Sequence, residues 1–403
     1  MDSAPRTGTG APAGTQPAGR WVSVGSADHP DPRSAGATAA ACALTGADVK
    51  LLVVFCSAHY DPAAVLEGIR ATAGDVPLIG CSSGGQIAAD GSTAGRVVVT
   101  ALGGPDFTVA TSAATGAAAR QREVGAGAAA CAAGLGDPAH AVLMLLTDGL
   151  APDQEQIISG AYEVVGASVP LVGGAASPGP DVRRTFLFHD DQVLTDAVVG
   201  AAIGSSSPFG IGVRHGWRKV GEPMLVTRSA DRRVYELDQK PALPTYLERL
   251  GAPAEAYTDP AAFDRFARTR PLGVRRRSGE EVRNVSSTEF LREGWLGCGA
   301  EVPEGGLVWL MEGDESSVLD AADDACRTAV DALSGYPPIG LIAFDCVSRS
   351  GLLGDGGTRV EVRRMIDQAG GAPLAGFYTW GEIARTRGIN GFHHQTLVVL
   401  AVS

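Results

Sequence analysis

Apolar and polar residues along this chain form blocks that recur in one order. Residues 49–58 are an apolar run without internal alternation, which predicts a strand buried on both faces. Helical spacing follows over 61–75, where Asp61 can cap the helix and Pro62 suits its first turn. A Pro-Leu-aliphatic-Gly phrase then opens at Pro77, and two more apolar stretches complete the block. The block therefore predicts the order strand, helix, strand, strand, strand.

The same order occurs twice more. Residues 141–204 repeat it with the phrase at Pro170, and a looser copy begins at Ile339 and carries the phrase at Pro373. Proline lacks a backbone donor and suits the start of a strand, and we expect the glycine to let the chain bend where the strand leaves the sheet. The irregular period indicates an ancient duplication rather than a solenoid.

These blocks predict an α/β (mixed α+β) fold of layered mixed β-sheets and helices, built from duplicated strand-helix-strand-strand units. The length of 403 residues favours two domains. Residues 205–305 differ from the repeats in their pattern of apolar and polar residues, so we place the domains at 21–207 and 208–403. Residues 1–20 are typical of a disordered tail.

Composition and charge narrow the classes of partner. The net charge of −12 argues against nucleic acid and anionic membranes, and we interpret the basic run at 275–277 as a solvated loop. Seven cysteines occur without a Cys-x-x-Cys pair, which favours a reduced, cytoplasmic protein without a zinc site or a disulfide framework. No apolar run reaches the roughly 18–20 residues needed to cross a bilayer.

Candidate chemistry concentrates in the last third of the chain. Cys346 ends a predicted buried strand and Arg349 follows at its exit, where ligands collect in sheet-and-helix folds. Glu361 is explained by a position near the start of the next helix, where the dipole favours a carboxylate. A thiol enzyme using Cys346 or Cys81 would need a nearby base that no signature provides, so we interpret both as buried, inert cysteines.

Three aromatic residues lie close together in the last copy of the phrase. Phe377, Tyr378 and Trp380 could form a pocket wall or fill the core at a sheet end, and the sequence leaves both interpretations open. Glu382 follows Gly381 and precedes an apolar residue, which argues against a simple surface charge.

Residues 391–402 predict one terminal strand. Alternation would then point His393 and Gln395 to one face, and His394 and Thr396 to the other. A single face would hold only one histidine, so a buried, hydrogen-bonded histidine is favoured over a metal ligand.

Taken in order, these stretches resemble the FIST (F-box and intracellular signal transduction) sensory module. The N-terminal half is similar at 53–69, 76–88, 147–150, 169–177 and 188–204. The C-terminal half is similar at 216–250, 343–349, 372–384 and 393–402. The resemblance implies a ligand-sensing input protein, with amino acids suggested as ligands and with haem-binding nitric-oxide sensors among the members. The positions it implies for the site are Cys346, Arg349, Phe377, Gly381, Glu382, His394, Gln395 and Thr396.

The leading hypothesis is a cytosolic sensor without enzymatic activity or cofactor. Arg349 would hold an anionic group and Glu382 a cationic one, while Tyr378 and Trp380 cover the apolar remainder, which suits an amino-acid-like ligand. Alternatively, Arg349 and Glu382 satisfy each other in a buried ion pair. The signal would pass to a separate downstream signalling protein, and a homodimer is a further expectation.

Two other functions stay open. One is a nitric-oxide sensor that binds haem b through His393 or His394. The other is a thiol-dependent hydrolase that uses Cys346 or Cys81.

Overall fold

The computed structural model of this protein describes residues 19–89, 91, 95–179, 184–276, 279–286, 293–386 and 391–403. Most of the predicted tail, residues 1–18, lies outside the described residues. None of the helices in the described ranges combines the length and apolar character needed to cross a membrane.

The predicted order of a strand, a helix and further strands occurs three times, each time after an additional strand and helix, and the mixed α/β fold class is confirmed. The first unit comprises β1 (Trp21–Ala27), α1 (Pro32–Ala43), β2 (Val49–Ser57), α2 (Pro62–Ala73), β3 (Leu78–Ser83), β4 (Gln86–Ala88) and β5 (Val97–Gly103). The second comprises β6 (Phe107–Thr115), α3 (Gln121–Ala129), a 3-10 helix (Ala130–Leu135), β7 (His140–Asp148), α4 (Gln154–Val165), β8 (Leu171–Ala176), β9 (Leu187–His189), β10 (Gln192–Leu194) and β11 (Ala197–Ser205).

The third unit is interrupted by an insertion, residues 215–314, after its first strand, β12 (Phe209–Arg214). The insertion comprises β13 (Arg218–Ala230), β14 (Arg233–Leu237), β15 (Lys240–Pro241), α5 (Ala242–Arg249), a 3-10 helix (Ala254–Tyr257), α6 (Pro260–Ala267), β16 (Leu272–Arg276), β17 (Gly279–Arg283), β18 (Val285–Ser286), β19 (Leu296–Cys298) and β20 (Leu307–Glu312). The unit then continues with α7 (Glu315–Asp331), β21 (Gly340–Cys346), α8 (Val347–Gln368), β22 (Leu374–Thr379), β23 (Glu382–Arg385), β24 (Phe392–His393) and β25 (Leu397–Val402).

Each unit builds a sheet with the same strand order. The orders are β1-β5-β2-β3, β6-β11-β7-β8 and β12-β25-β21-β22, each ending in a parallel pair. The outer strand of each sheet then pairs with a short antiparallel strand from another unit. Strand β3 pairs with β9, β8 with β23, and β22 with β4, so the three sheets exchange strands in a closed cycle.

The predicted domain boundary at 207/208 falls between β11 and β12, where the second unit gives way to the third. Two of the three exchanged pairings, β8 with β23 and β22 with β4, join residues on opposite sides of that position. The division into two domains stays a prediction.

Local signals explain how the elements of each unit start. Asp61 caps α2 by accepting a hydrogen bond from the backbone N–H of Ala63, as predicted. Each proline of the repeated phrase directly precedes a strand, which confirms its predicted place. Its carbonyl accepts a hydrogen bond of 2.8–2.9 Å from the strand alongside, and the pairs are Leu52 with Pro77, Leu143 with Pro170, and Leu341 with Pro373.

The prediction for the glycine of the phrase was wrong. Gly80, Gly173 and Gly376 lie inside their strands, not at the exit where the chain would bend. A Cβ atom at these positions would lie 2.4, 1.9 and 2.1 Å from the carbonyl oxygen of the residue opposite on the parallel strand. The glycine of the phrase therefore recurs because the two strands of each parallel pair lie too close together at this position to accommodate a side chain.

The three sheets face a shared core. Phe55 from β2, Phe344 from β21 and Phe377 from β22 meet there, with ring centroids 4.7–6.4 Å apart. The insertion forms a separate sheet in the order β17-β16-β20-β13-β14-β19-β18, with β15 added beside β14. It has its own core, which includes Tyr246 and Phe263.

Candidate functional site

Arg349 lies in a fully buried cluster of charges. Its Nε donates to Asp345 Oδ1 at 2.7 Å, and its Nη2 donates to Glu361 Oε1 at 2.6 Å. It also donates to the carbonyl oxygens of His215 and Val318, each at 3.2 Å. These contacts use most of the guanidinium donors, so they argue against Arg349 as the anchor for a ligand.

The structure gives Arg349 and Glu382 different partners, so the alternative that they form a buried ion pair with each other was wrong. Their predicted role as ligand anchors is disfavoured, because both side chains are fully buried and already have partners. The interpretation of Glu361 was also wrong. It lies in the interior of α8, beyond a break at Gly354 (φ 60°), and not in the first turn. The break separates the segment with Arg349 from the segment with Glu361, and the guanidinium joins them.

The buried cluster holds one guanidinium and two carboxyl groups. Burial and the neighbouring Glu361 raise the pKa of Asp345 well above its usual range, despite the opposing effect of Arg349. Within the described residues, Asp345 Oδ2, Glu361 Oε2 and the hydroxyl of Tyr378 are buried without a hydrogen-bond partner. A proton on Asp345 would make the cluster neutral.

Glu382 lies in a second buried polar cluster. The hydroxyl of Thr379 donates to its Oε1, and the backbone N–H of Thr396 donates to its Oε2 at 3.1 Å. Burial raises the pKa of Glu382 to about 8, so the folded protein holds this proton more tightly than the unfolded chain.

This shift predicts a pH-dependent effect of the variant Glu382→Gln. The contribution of Glu382 to the stability of the wild type is fully present below the ordinary pKa of 4.5, and it is lost as the pH rises to about 8. The variant has no such titration, so its stability relative to the wild type should rise between about pH 5 and about pH 8. Urea unfolding of both proteins at the two pH values measures this, and a difference independent of pH would contradict it.

The aromatic residues do not line one pocket. Phe377 lies in the shared core and Tyr378 in the core beneath α7 and α8, while Trp380 is 47% exposed at the surface. Gly381 has φ 149°, and a Cβ atom there would lie 2.2 Å from the ring of Phe392. Core filling therefore accounts for Phe377 and Tyr378.

The prediction of one terminal strand was wrong, because Gln395 has φ 52° and separates β24 from β25. The ring Nε2 of His393 lies 3.0 Å from the carbonyl oxygen of Ala384. His394 packs edge-on against Phe392, and burial lowers its pKa to about 3. Within the described residues, no group of three or more acidic, histidine and cysteine side chains could hold a metal ion.

Cys81 and Cys346 are both buried thiols. Burial raises the pKa of each well above its usual value, which disfavours the reactive thiolate. The geometry thus favours inert cysteines, and the lack of enzymatic activity stays a prediction.

A cleft of about 140 Å³ opens where the insertion meets the second and third units. Helix α4 supplies one wall, strands β16 and β17 of the insertion supply another, and the end of β23 with the start of β24 completes it. The lining residues are Glu155, Ile158, Ser159, Arg276, Glu281, Arg385, Gly391 and Phe392.

Ion pairs join the insertion to α4 on one side of this cleft. Arg276 Nε donates to Glu281 Oε2 at 2.8 Å. Behind them, the fully buried Arg283 donates to Glu281 at 2.8 Å and to Glu155 of α4 at 2.9 Å. Burial raises the pKa of Glu155, against the opposing effect of Arg283. Both carboxylates of the cleft therefore already have guanidinium partners.

Among the charged residues that line the cleft, Arg385 differs from the others because it lacks an ion-pair partner within the described residues. Its guanidinium carbon lies 3.4 Å from the centroid of the Tyr162 ring, and within the described residues it has no hydrogen bond or ion pair. Sequence patterns did not indicate Arg385, which follows the aromatic phrase directly, and the basic run that includes Arg276 was interpreted as a solvated loop. Their shared cleft depends on contacts between distant segments, which local patterns do not reveal.

Two family models match this chain. The FIST N domain model matches residues 50–240, and the FIST C domain model matches residues 242–385. An uncharacterized protein of Mycobacterium tuberculosis (strain ATCC 25618 / H37Rv) is 30% identical over 404 residues, covering 93% of this chain and 97% of that protein. An uncharacterized protein of Methanocaldococcus jannaschii is 27% identical over 190 residues, covering 44% of this chain and 36% of that protein.

Among solved structures, a cyanuric acid hydrolase has a TM-score of 0.30 at 10% identity, over 96% of this chain and 100% of that chain. That likeness is too low to support an inference about fold or activity. The two family models cover most of this chain in sequence order. The chain therefore belongs to the FIST family, which is associated with sensory signal transduction.

Proposed function

We propose that this protein is a sensor that binds a small molecule in the cleft between its insertion and its second and third units. The main support for this proposal is that the walls of the cleft come from three separate segments of the chain. A molecule bound there contacts all three segments at once. Its binding energy can therefore bias their relative arrangement, which is what a sensor requires.

The base of the insertion supports this mechanism. The insertion leaves the third unit near His215 and returns shortly before Val318, and Arg349 donates to both of these carbonyl oxygens. Arg349 thus holds both ends of the insertion against the third unit through hydrogen bonds. The cleft lies at a different contact between the insertion and the rest of the chain. Movement at the cleft would turn the insertion about this tied base, and a downstream signalling protein would read the new arrangement.

The site proposed here differs from the one expected at Arg349 and Glu382. Both of those side chains are fully buried and have partners inside the protein. The cleft instead combines open volume, charged groups and apolar surface, which are the usual features of a small-molecule site.

A thermal-shift screen of amino acids, small organic acids, amides and haem tests this proposal. A specific ligand should raise the melting temperature by several degrees through binding to the folded state. The variant Ser159→Trp fills the cleft and should abolish that shift, while Val164→Trp on the exposed face of the same helix should keep it.

Two results would overturn the proposal. One is a screen in which no compound stabilises the protein, and the other is a ligand whose shift survives Ser159→Trp. A strong Soret band on adding haem, lost in a His393 or His394 variant, would favour the haem alternative instead.

A further inference from the structure

We infer that the cleft takes a small monocarboxylate with an apolar body, with its carboxylate held by Arg385. This inference rests on the proposed function, since it names the chemical class of the ligand for the same cleft. It differs from the zwitterionic, amino-acid-like ligand that the sequence suggested.

Arg385 is positioned by an aromatic ring. Its guanidinium carbon lies 3.4 Å from the centroid of the Tyr162 ring, so the ring covers one face of the guanidinium. The N–H donors point along the edges of the guanidinium plane, and in the part of the chain that the structure describes none of them has an acceptor. A carboxylate is the group that matches such a planar fork with two parallel hydrogen bonds.

The positive charges around the cleft outnumber the negative ones. Three guanidinium groups, those of Arg276, Arg283 and Arg385, lie in or directly behind the cleft, against the two carboxylates of Glu155 and Glu281. Three positive charges minus two negative charges leave one positive charge, which an anion would neutralise. A zwitterion would leave that charge in place, and its ammonium group would compete with Arg283 for Glu155.

Part of the cleft wall is apolar. Ile158 and Phe392 are buried hydrophobic residues on the cleft wall. Gly391 packs directly against Ile158, since a Cβ atom there would lie 2.5 Å from the side chain of Ile158. An apolar group of the ligand can pack here while its carboxylate contacts Arg385.

Isothermal titration calorimetry with the full chain tests this class. The probes are butyrate and benzoate, their neutral amides, and the matched amino acids 2-aminobutyrate and phenylglycine. We expect the acids to bind roughly tenfold or more tightly than the amides, because a hydrogen-bonded charge pair is lost in the amide. The amino acids should also bind more weakly than the acids.

Three variants locate the recognition. Arg385→Lys keeps the charge but loses the planar fork, so it should weaken binding of the acids by roughly tenfold. Glu155→Gln removes a negative charge and should tighten acid binding, whereas it would weaken a zwitterion that used Glu155. Arg327→Lys, at an exposed arginine paired with Asp324 on α7, is the control and should leave binding unchanged.

The other outcomes contradict either the ligand class or the proposed function. If amides or amino acids bind better than acids and Ser159→Trp abolishes that binding, the ligand class is wrong and the proposed function stands. The ligand class is equally wrong if Arg385→Lys leaves acid binding unchanged, or if Glu155→Gln weakens it. If no probe and no other compound binds, the proposed function fails and this inference fails with it.

Discussion

Replacing Arg349 with methionine should lower the free energy of unfolding by about 3–5 kcal/mol. Arg349 is fully buried and is the partner of two buried carboxyl groups, Asp345 and Glu361. Methionine has similar length, so the loss reflects charge and hydrogen bonding more than volume. The carboxyl groups would then face each other without a cation, and the carbonyl oxygens of His215 and Val318 would lose a donor.

A matched control lies on the same helix. Arg364 pairs with Asp320 and Asp323 in a partly exposed network, and Arg364→Met should change stability by less than about 1 kcal/mol. Adding Glu361→Gln to Arg349→Met should restore part of the lost stability, because it removes one uncompensated charge. Urea unfolding measures all three variants. Equal losses for Arg349→Met and Arg364→Met would contradict the importance of the buried cluster.

Adding a single methyl group at Gly376 should destabilise the protein by about 3 kcal/mol or more. A Cβ atom there would lie 2.1 Å from the carbonyl oxygen of Ala343, a backbone atom that has no rotamer to adopt. The parallel strands β21 and β22 would have to separate, which weakens their hydrogen bonds. Gly80→Ala should have a similar effect, and Gly173→Ala a larger one, because Gly173 also has φ 148°, a conformation that alanine rarely adopts.

Gly356 provides the control for these glycine variants. It lies in α8, and a Cβ atom there would have no neighbour within 4 Å. Gly356→Ala should therefore be neutral or stabilising by up to about 1 kcal/mol, since alanine restricts the unfolded chain more than glycine. Thermal unfolding of the four variants compares them directly. A Gly376→Ala protein as stable as Gly356→Ala would show that the strands are not held so closely.

The units of this fold could be predicted from sequence because their signals are local. An apolar run, the aspartate and proline that start a helix, and the proline before a strand each act over a few residues. The role of the repeated glycine was not predictable in the same way. Gly376 is explained by Ala343, which lies on a strand one whole helix earlier in the chain.

The partners of Arg349 were missed for a related reason. Glu361 follows Arg349 by about three helical turns, and a continuous helix would place the two far apart along its axis. The break at Gly354 removes that separation, and a glycine inside a helical segment does not by itself indicate such a break. The cleft was even less predictable from local signals, because Glu155, Arg276 and Arg385 come from three distant segments of the chain.

The cycle of exchanged strands has a consequence for the origin of this architecture. A single unit on its own would present the open edge of its phrase strand and would carry a short strand with nothing to pair with. Three identical copies could satisfy all of these edges by associating in a ring. The present chain is thus equivalent to a trimer joined end to end, in which the third protomer carries the insertion that forms one wall of the cleft.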